Sequence, residues 1–323
     1  MLNEIYCADM TKKILVSGSL AYDRIMTFPG LFSDHLLPDK LHALSVSFTV
    51  DTLEQSFGGT AGNIAYGLSM LGETSALLAV AGKDFGVYDE WLKNCKIDTS
   101  SIQRETDVNT ASAHIITDKA DNQITAFYPG ALAVAYAKPL DFTDAVVAIV
   151  APSSTADMES LPQKYRDQGL PFFFDPGQQT IALSKEQMQN GIAGSAGVFA
   201  NKYEMEIISQ KTGWDIPELL QHAAMVVVTL GAEGSIIHTR EKEYQVRAVQ
   251  LKSIVDPTGA GDAYRAGFIK GTLLGLSADS CARIASVVAS YAVETRGTQG
   301  YQFVTEHLKA RYEETYAEQL TAF

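Results

Sequence analysis

The sequence predicts an α/β protein, a mainly parallel central sheet covered by helices with a small β-sheet lid standing off it. Three observations carry that expectation. Short apolar runs of strand length recur along the chain, helix-like stretches separate them, and three further segments alternate apolar with polar residues. Continuous apolar runs mark strands covered on both faces, as in a parallel sheet under helices. Period-two alternation marks strands with one wet face.

In chain order, buried strands are expected at 14–16, 76–80, 146–150, 172–174 and 225–228. Helical patterns fall at 61–71, 156–168, 185–191, 203–211 and 217–223, and the chain closes with helices at 260–274, 278–294 and 305–319. This alternation argues for parallel strands joined by helical crossovers. Two strands leave through residues able to do chemistry, Asp175 after Phe174 and Thr229 after Val228. That carboxyl edge is where ligands bind in open α/β sheets. The alternating segments are 20–28, 44–57 and 109–130, clearest in Leu44-Ser45-Val46-Ser47-Phe48-Thr49-Val50. No repeat or linker is visible, so residues 1–323 are expected to form a single domain with the lid inserted into it.

Charge narrows the function. The chain has 38 acidic and 25 basic residues, a net −13, which excludes a binder of nucleic acid or of an anionic membrane surface by a basic face. No apolar run approaches the ~20 residues that span a bilayer, and the start is polar and acidic, so a cytoplasmic location is expected. Cys7, Cys95 and Cys281 are too few and too scattered for a disulfide or zinc framework. The chain has neither a P-loop nor a Gly-x-Gly-x-x-Gly opening a first βαβ unit.

The stretch Asp256-Pro257-Thr258-Gly259-Ala260-Gly261-Asp262-Ala263-Tyr264-Arg265-Ala266-Gly267-Phe268 is the most informative. It reads as a small-residue turn opening a helix. Pro257 fixes an extended approach, and Gly259 and Gly261 let backbone N–H groups near a ligand. With the helix dipole, those N–H groups make an anion site. Asp262 reads either as an N-cap or as a base beside the anion, removing a proton from an attacking hydroxyl.

The stretch closely resembles the second signature of the ribokinase/PfkB carbohydrate-kinase family, which includes ribokinase, fructokinase and adenosine kinase. The resemblance runs from about residue 13 to about 310 and looks closest to bacterial adenosine- or nucleoside-kinase-like members. It implies a three-layer α/β/α ribokinase-like fold and phosphoryl transfer from ATP to a primary hydroxyl. It also implies Asp262 as general base, with the amides of Gly259, Ala260 and Gly261 stabilising the transferred group.

Other landmarks follow in order. Gly18-Ser19-Leu20-Ala21-Tyr22-Asp23 places Asp23 where the family holds sugar hydroxyls. Phe57-Gly58-Gly59-Thr60-Ala61-Gly62-Asn63 resembles the first signature, implying substrate contact at Gly58, Gly59 and Asn63. On the residues alone, the glycines also read as a plain turn and Asn63 as a first-turn residue. Asn201-Lys202-Tyr203-Glu204 matches the Asn-x-x-Glu element, which implies Asn201 beside the nucleotide and Glu204 organising Mg2+ through water. A helix-start acid favoured by the dipole is the simpler reading of Glu204. Thr229-Leu230-Gly231-Ala232-Glu233-Gly234 resembles the nucleotide loop, with Thr229 and Gly231 lining the ATP and Gly234 shaping the turn. Residues 293–298 sit where many members close a monovalent-cation site with Asp256 and Thr258, so K+ is a further candidate cofactor.

Arg265, three residues after Asp262, shares its helix face. It reads as a ligand for the γ- or product phosphate or as a surface ion pair, and Arg265→Ala is expected to lower turnover far more than stability. For the acceptor, Phe127 and Tyr128 in the lid read either as core packing of the lid or as aromatic faces offered to a base, with Tyr128 as the contact, and a ribonucleoside such as adenosine is expected. A furanose-sugar kinase and a non-catalytic nucleoside or sugar sensor are the alternatives. A monomer and a homodimer joined through the lid both fit the one-sided lid sheet. An acidic body must bind ATP through local devices, so nucleotide binding is expected to need magnesium.

Overall fold

The computed structural model describes residues 12–36 and 45–323. β1 (Lys13–Ser17) passes through Gly18-Ser19-Leu20 into β2 (Ala21–Thr27), and β3 (Thr52–Gly58) runs into α1 (Thr60–Met70). Next come β4 (Ser75–Leu78), β5 (Val80–Ala81), α2 (Gly86–Asn94), β6 (Gln103–Arg104), β7 (Ala111–Thr117) and β8 (Gln123–Tyr128). β9 (Ala145–Val150), α3 (Thr155–Asp167), β10 (Phe172–Phe174), α4 (Lys185–Ile192), β11 (Gly197–Asn201), α5 (Lys202–Thr212) and α6 (Ile216–His222) follow. The chain finishes with β12 (Met225–Thr229), β13 (Ser235–Thr239), β14 (Glu243–Val246), α7 (Ala260–Leu273), α8 (Ala278–Val293) and α9 (Thr305–Tyr316).

The main sheet has eight strands in the order β14-β13-β12-β11-β10-β9-β1-β4. It is parallel from β4 to β12, and β13 and β14 close one edge as antiparallel hairpins. Strand alternation splits the apolar interior in two. Phe173, Val16 and Ile149 face α1, α2, α7, α8 and α9, while Phe172, Phe174, Leu15 and Val150 face α3, α4, α5 and α6. Helices therefore cover both faces, and the layers are α/β/α. Among the described residues no helix is long and apolar enough to cross a membrane.

The lid is a separate sheet in the order β3-β2-β7-β8. β2 pairs antiparallel with β3 and parallel with β7, and β7 pairs antiparallel with β8. The register sets Asp23 beside Ser56 and Ala113, and Ala113 beside Phe127. These residues share a face, since neighbours across a ladder point the same way. β8 is an edge strand, exposed along its whole length.

One expected strand differs. Leu44 lies outside the described residues, and Ser45–Val50 carries no strand. β2 has ended at Thr27, whose ladder partner is Thr52, so nothing remains for this segment to pair with. Phe48 instead packs into an aromatic cluster, 4.9 Å from Phe28 and 5.1 Å from Phe32 between ring centroids.

Candidate active site

The carboxyl edge of the parallel strands collects the chemistry-bearing residues: Asp175 follows β10, Asn201 ends β11 and Thr229 ends β12. Two helix starts cover this edge. α1 has Gly59 (φ 88°) at its N-cap and no side-chain cap of its own. The β1–β2 turn supplies one. The Thr60 N–H donates to Ser19 Oγ at 3.0 Å and the Ala61 N–H to Ser19 O at 3.0 Å, satisfying two orphan donors. This joins the strand carrying Asp23 to the helix carrying Asn63.

α7 starts from a turn stitched by Asp256, whose Oδ1 accepts from Thr258 N–H at 2.9 Å and Oδ2 from Gly297 N–H at 3.0 Å. Burial works against the charge, but these donors hold the carboxyl below its usual range. Gly259 takes a left-handed conformation (φ 78°), and a Cβ there would meet Thr298 Cγ2 at 2.8 Å. Gly259→Ala is therefore expected to displace the turn and lower turnover by about tenfold or more, a loss that steady-state kinetics would read. The Ala260 N–H donates to Pro257 O at 3.2 Å, so it is occupied here. The N–H groups of Gly259 and Gly261 meet no acceptor among the described residues.

Asp262 sits in the first turn of α7, partly exposed. Its Oδ2 accepts from Asn63 Nδ2–H at 2.8 Å. Burial pushes its carboxyl up. Arg265 and Asn63 pull it down, while Asp175 and Glu204 raise it again, and the balance lies at about 6. Such a group is mostly ionised at neutral pH yet still basic enough to take a proton.

Arg265 is buried, and its fork is committed. Nε donates to Asp175 Oδ2 at 2.5 Å and Nη2 to Asp175 Oδ1 at 2.9 Å. The guanidinium lies 5.5 Å from the Phe199 ring centroid. Nη1 fills the space where a Gly261 Cβ would stand, 2.7 Å from that position. The glycine is thus needed for the arginine as well as for the turn. Burial opposes the charge, yet Asp175, Asp262 and Glu204 together raise the Arg265 pKa. The sequence leaves Arg265 open to a phosphate contact or a surface ion pair, and it is instead half of a buried pair, because β10 delivers Asp175 under the helix. Removing Arg265 must therefore cost stability, contrary to the expectation from sequence.

Glu204 forms a capping box with Asn201: the Asn201 N–H donates to Glu204 Oε2 and the Glu204 N–H to Asn201 Oδ1, both at 2.8 Å. Burial raises its carboxyl, as does Asp175. No group of three His, Cys, Asp or Glu among the described residues is placed to cage a metal.

On the lid side, Asp23 has no hydrogen-bond or ion-pair partner among the described residues, and its carboxyl is raised by burial and by Asp256. A Cβ on Gly58 would meet Asp23 Oδ2 at 2.6 Å. The lid register moves the aromatic residue: Phe127 shares the Asp23 face, whereas Tyr128 pairs with Ser112 on the opposite face, with Tyr22. Phe127 is 55% exposed, an open ring on that face.

Beside α7, a cleft of about 410 Å³ runs from Val293, Ala289 and Val249 to Ala260 and Gly261, and Thr229, Gly231 and Gly234 form its wall. Asn201 lies in the adjoining groove with Thr229 and Gly231.

Behind Asn63 stands a hydrogen-bonded group that sequence reading missed. Gln299 Nε2–H donates to Asn63 Oδ1 at 3.0 Å and to Tyr88 Oη at 2.5 Å, while Trp91 Nε1–H donates to Gln299 Oε1 at 3.0 Å. Tyr88 and Trp91 lie on α2, a helix the sequence did not signal, and Gln299 is remote in sequence from all its partners.

Residues 11–303 match the pfkB family carbohydrate kinase. The nucleoside kinase of Methanocaldococcus jannaschii is 33% identical over 265 residues, covering 81% of this chain and 87% of the relative. That of Methanothermobacter thermautotrophicus is 33% identical over 296 residues, covering 89% and 91%. The Burkholderia thailandensis nucleoside kinase in complex with inosine superposes with a TM-score of 0.81 at 31% identity, covering 95% of this chain and 99% of that one. The M. jannaschii nucleoside kinase structure, an archaeal member of the ribokinase family, gives 0.86 at 30%, covering 94% and 98%. The three-layer sheet and its small lid are thus those of a ribokinase-like fold. The chain belongs to the pfkB family of carbohydrate kinases and is a phosphotransferase that acts on an alcohol group of a nucleoside or a sugar.

Proposed function

We propose that this protein transfers the γ-phosphoryl group of ATP to the 5′-hydroxyl of a ribonucleoside, with adenosine the expected acceptor and Asp262 the general base. The observation that carries the reading is the Asp262 carboxylate. Asn63 holds one of its oxygens, the other is free, and it stands at the foot of a turn whose Gly259 and Gly261 N–H groups are open. The acceptor would lie between Asp23, which can take vicinal hydroxyls, and Asp262, with its base against Phe127. The similarity to nucleoside kinases favours a nucleoside over a free sugar.

In this reading ATP occupies the cleft lined by Thr229, Gly231, Gly234 and Val293, with its phosphates beside Asn201 and over the Gly259-Ala260-Gly261 turn. Asp262 Oδ1 takes the hydroxyl proton as the acceptor oxygen attacks γ-phosphorus in line, the bond to the β–γ bridging oxygen breaks and ADP leaves, and the open amides stabilise charge on the transferred group. The Ala260 N–H joins them only by leaving Pro257 O. The donor set suits magnesium held through water, by Glu204 Oε1, since Oε2 is occupied. When bound, the ion would neutralise triphosphate charge. A monovalent cation would sit where the Asp256–Thr258 turn meets residues 293–298. Lid closure over the acceptor would exclude water.

The test is ATP consumption against adenosine, inosine, cytidine, ribose and fructose, with and without magnesium. The reading expects the highest kcat/KM for a nucleoside, adenosine first, and loss of turnover on chelation. Preference for ribose or fructose would make this a sugar kinase, and no consumption with any of the five would overturn the proposed acceptor class.

A further inference from the structure

We propose that Trp91 and Gln299 are positioning residues that fix the polarity of a hydrogen-bond relay ending on Asp262, so that the Asn63 amide can only donate to that carboxylate. The inference rests on Asp262 being the base. An indole N–H donates and cannot accept, whereas either end of a Gln or Asn amide can face a partner. Trp91 Nε1–H lies 3.0 Å from Gln299, so the Gln299 atom facing it must be Oε1. That turns Gln299 Nε2 toward Asn63, which must answer with Oδ1 at 3.0 Å. Asn63 Nδ2 is then the atom left facing Asp262, at 2.8 Å. The direction of the whole relay is set by its donor-only first member.

The relay is closed on every side. Both Nε2 hydrogens of Gln299 are used, one on Asn63 and one on Tyr88 Oη, and the tyrosine O–H donates onward to Gly58 O at 2.8 Å. Thr298 Oγ1 lies 2.7 Å from Asn63 Oδ1 and 2.9 Å from Phe57 O, two acceptors that compete for its one hydrogen. Asn63, Thr298, Gln299 and Tyr88 are all buried, so none of these groups can fall back on solvent. With the polarity reversed, the Asn63 carbonyl oxygen would face the carboxylate. With it fixed, Asp262 Oδ2 is occupied and Oδ1 is the proton acceptor.

The acid limb of kcat/KM reads this orientation, because a hydrogen bond to the charged form favours it. The groups facing Asp262 are Arg265 along α7, Asp175 from the end of β10, Glu204 from α5, Tyr88 from α2 and Tyr301 from the loop before α9. They stay in place in Trp91→Phe, whereas Gln299→Glu adds a buried carboxylate that itself raises the limb, so Trp91→Phe separates orientation from charge.

In Gln299→Glu the side chain still accepts from Trp91 but no longer donates to Asn63. The acid limb is expected to rise by about one unit, with activity about twofold lower at pH 7, about tenfold lower at pH 5 and recovered at high pH. Trp91→Phe keeps a ring beside Phe57 and Tyr66 but removes the donor, and should move the limb the same way by less. Trp91→Phe carries the test alone if Gln299→Glu does not fold. An unmoved limb in the folded variants, with only a lower melting temperature, overturns the proposal by showing mere support of α2. Asp262→Asn separates this failure from that of the base: a fully active Asp262→Asn enzyme sinks the base reading and the relay together. An inactive one with an unmoved limb in Trp91→Phe sinks the relay alone.

Discussion

Asp262→Asn is expected to lower turnover by roughly 10²–10⁴-fold while acceptor and ATP binding hold within about twofold, since only the proton acceptor is lost. The same substitution is expected to raise stability. The folded-state value of about 6 lies above the ordinary 3.8 of an aspartate, so the folded protein binds this proton more tightly than the unfolded chain does. Asp262 therefore opposes folding progressively as pH rises between those values, and fully above pH 6. The variant should melt higher than the parent at pH 8, by at most about 3 kcal/mol, with the gap closing toward pH 4. Parent kcat/KM should rise with pH through a limb near 6. Substantial turnover by Asp262→Asn, or melting well below the parent at pH 8, would count against this account of the residue.

Arg265→Ala should give the largest loss of stability. It leaves Asp175, 2% exposed, as an unpaired buried carboxylate under α7. Breaking such a pair from one side costs about 3–5 kcal/mol, measurable as a shift in the urea midpoint. Turnover should also fall, and the acid limb should rise, because Arg265 favours ionised Asp262. The double variant Asp175→Asn/Arg265→Met should recover much of the stability, since no stranded charge remains, and should keep a limb above the parent's but below that of Arg265→Ala, because Asp175 also raises Asp262. If Arg265→Ala unfolds at the parent midpoint, the pair holds nothing together.

What sequence revealed and what it hid divide by range. Val146-Val147-Ala148-Ile149-Val150 and Phe172-Phe173-Phe174 declare buried strands because both faces are apolar. The α7 turn is legible because Pro257, Gly259 and Gly261 each carry a local backbone requirement. β11 (GVFAN) is short and flanked by small residues, which hides it, and the β13–β14 hairpin carries no Asn-Gly or Asp-Gly turn. The short helix α2 offers too few turns for its period to stand out. The site needs contacts that no window contains. Arg265 meets Asp175 across 90 residues and Gln299 meets Asn63 across 236. A local reading leaves Arg265 at the surface and Asn63 free for substrate. The fold buries the first and saturates the second's Oδ1.

The lid's two rims differ in what they present to solution. β3 carries Glu54, paired with Arg296 at 3.0 Å, and a charge on an edge strand repels a second copy of itself. β8 reads Gln-Ile-Thr-Ala-Phe-Tyr, uncharged, without proline and exposed from end to end. A hexapeptide of that composition, with one side of its backbone unpaired among the described residues, is a template for strand addition. Association between copies in concentrated solution is therefore expected to begin at this rim, in six residues remote from the core that makes the fold stable.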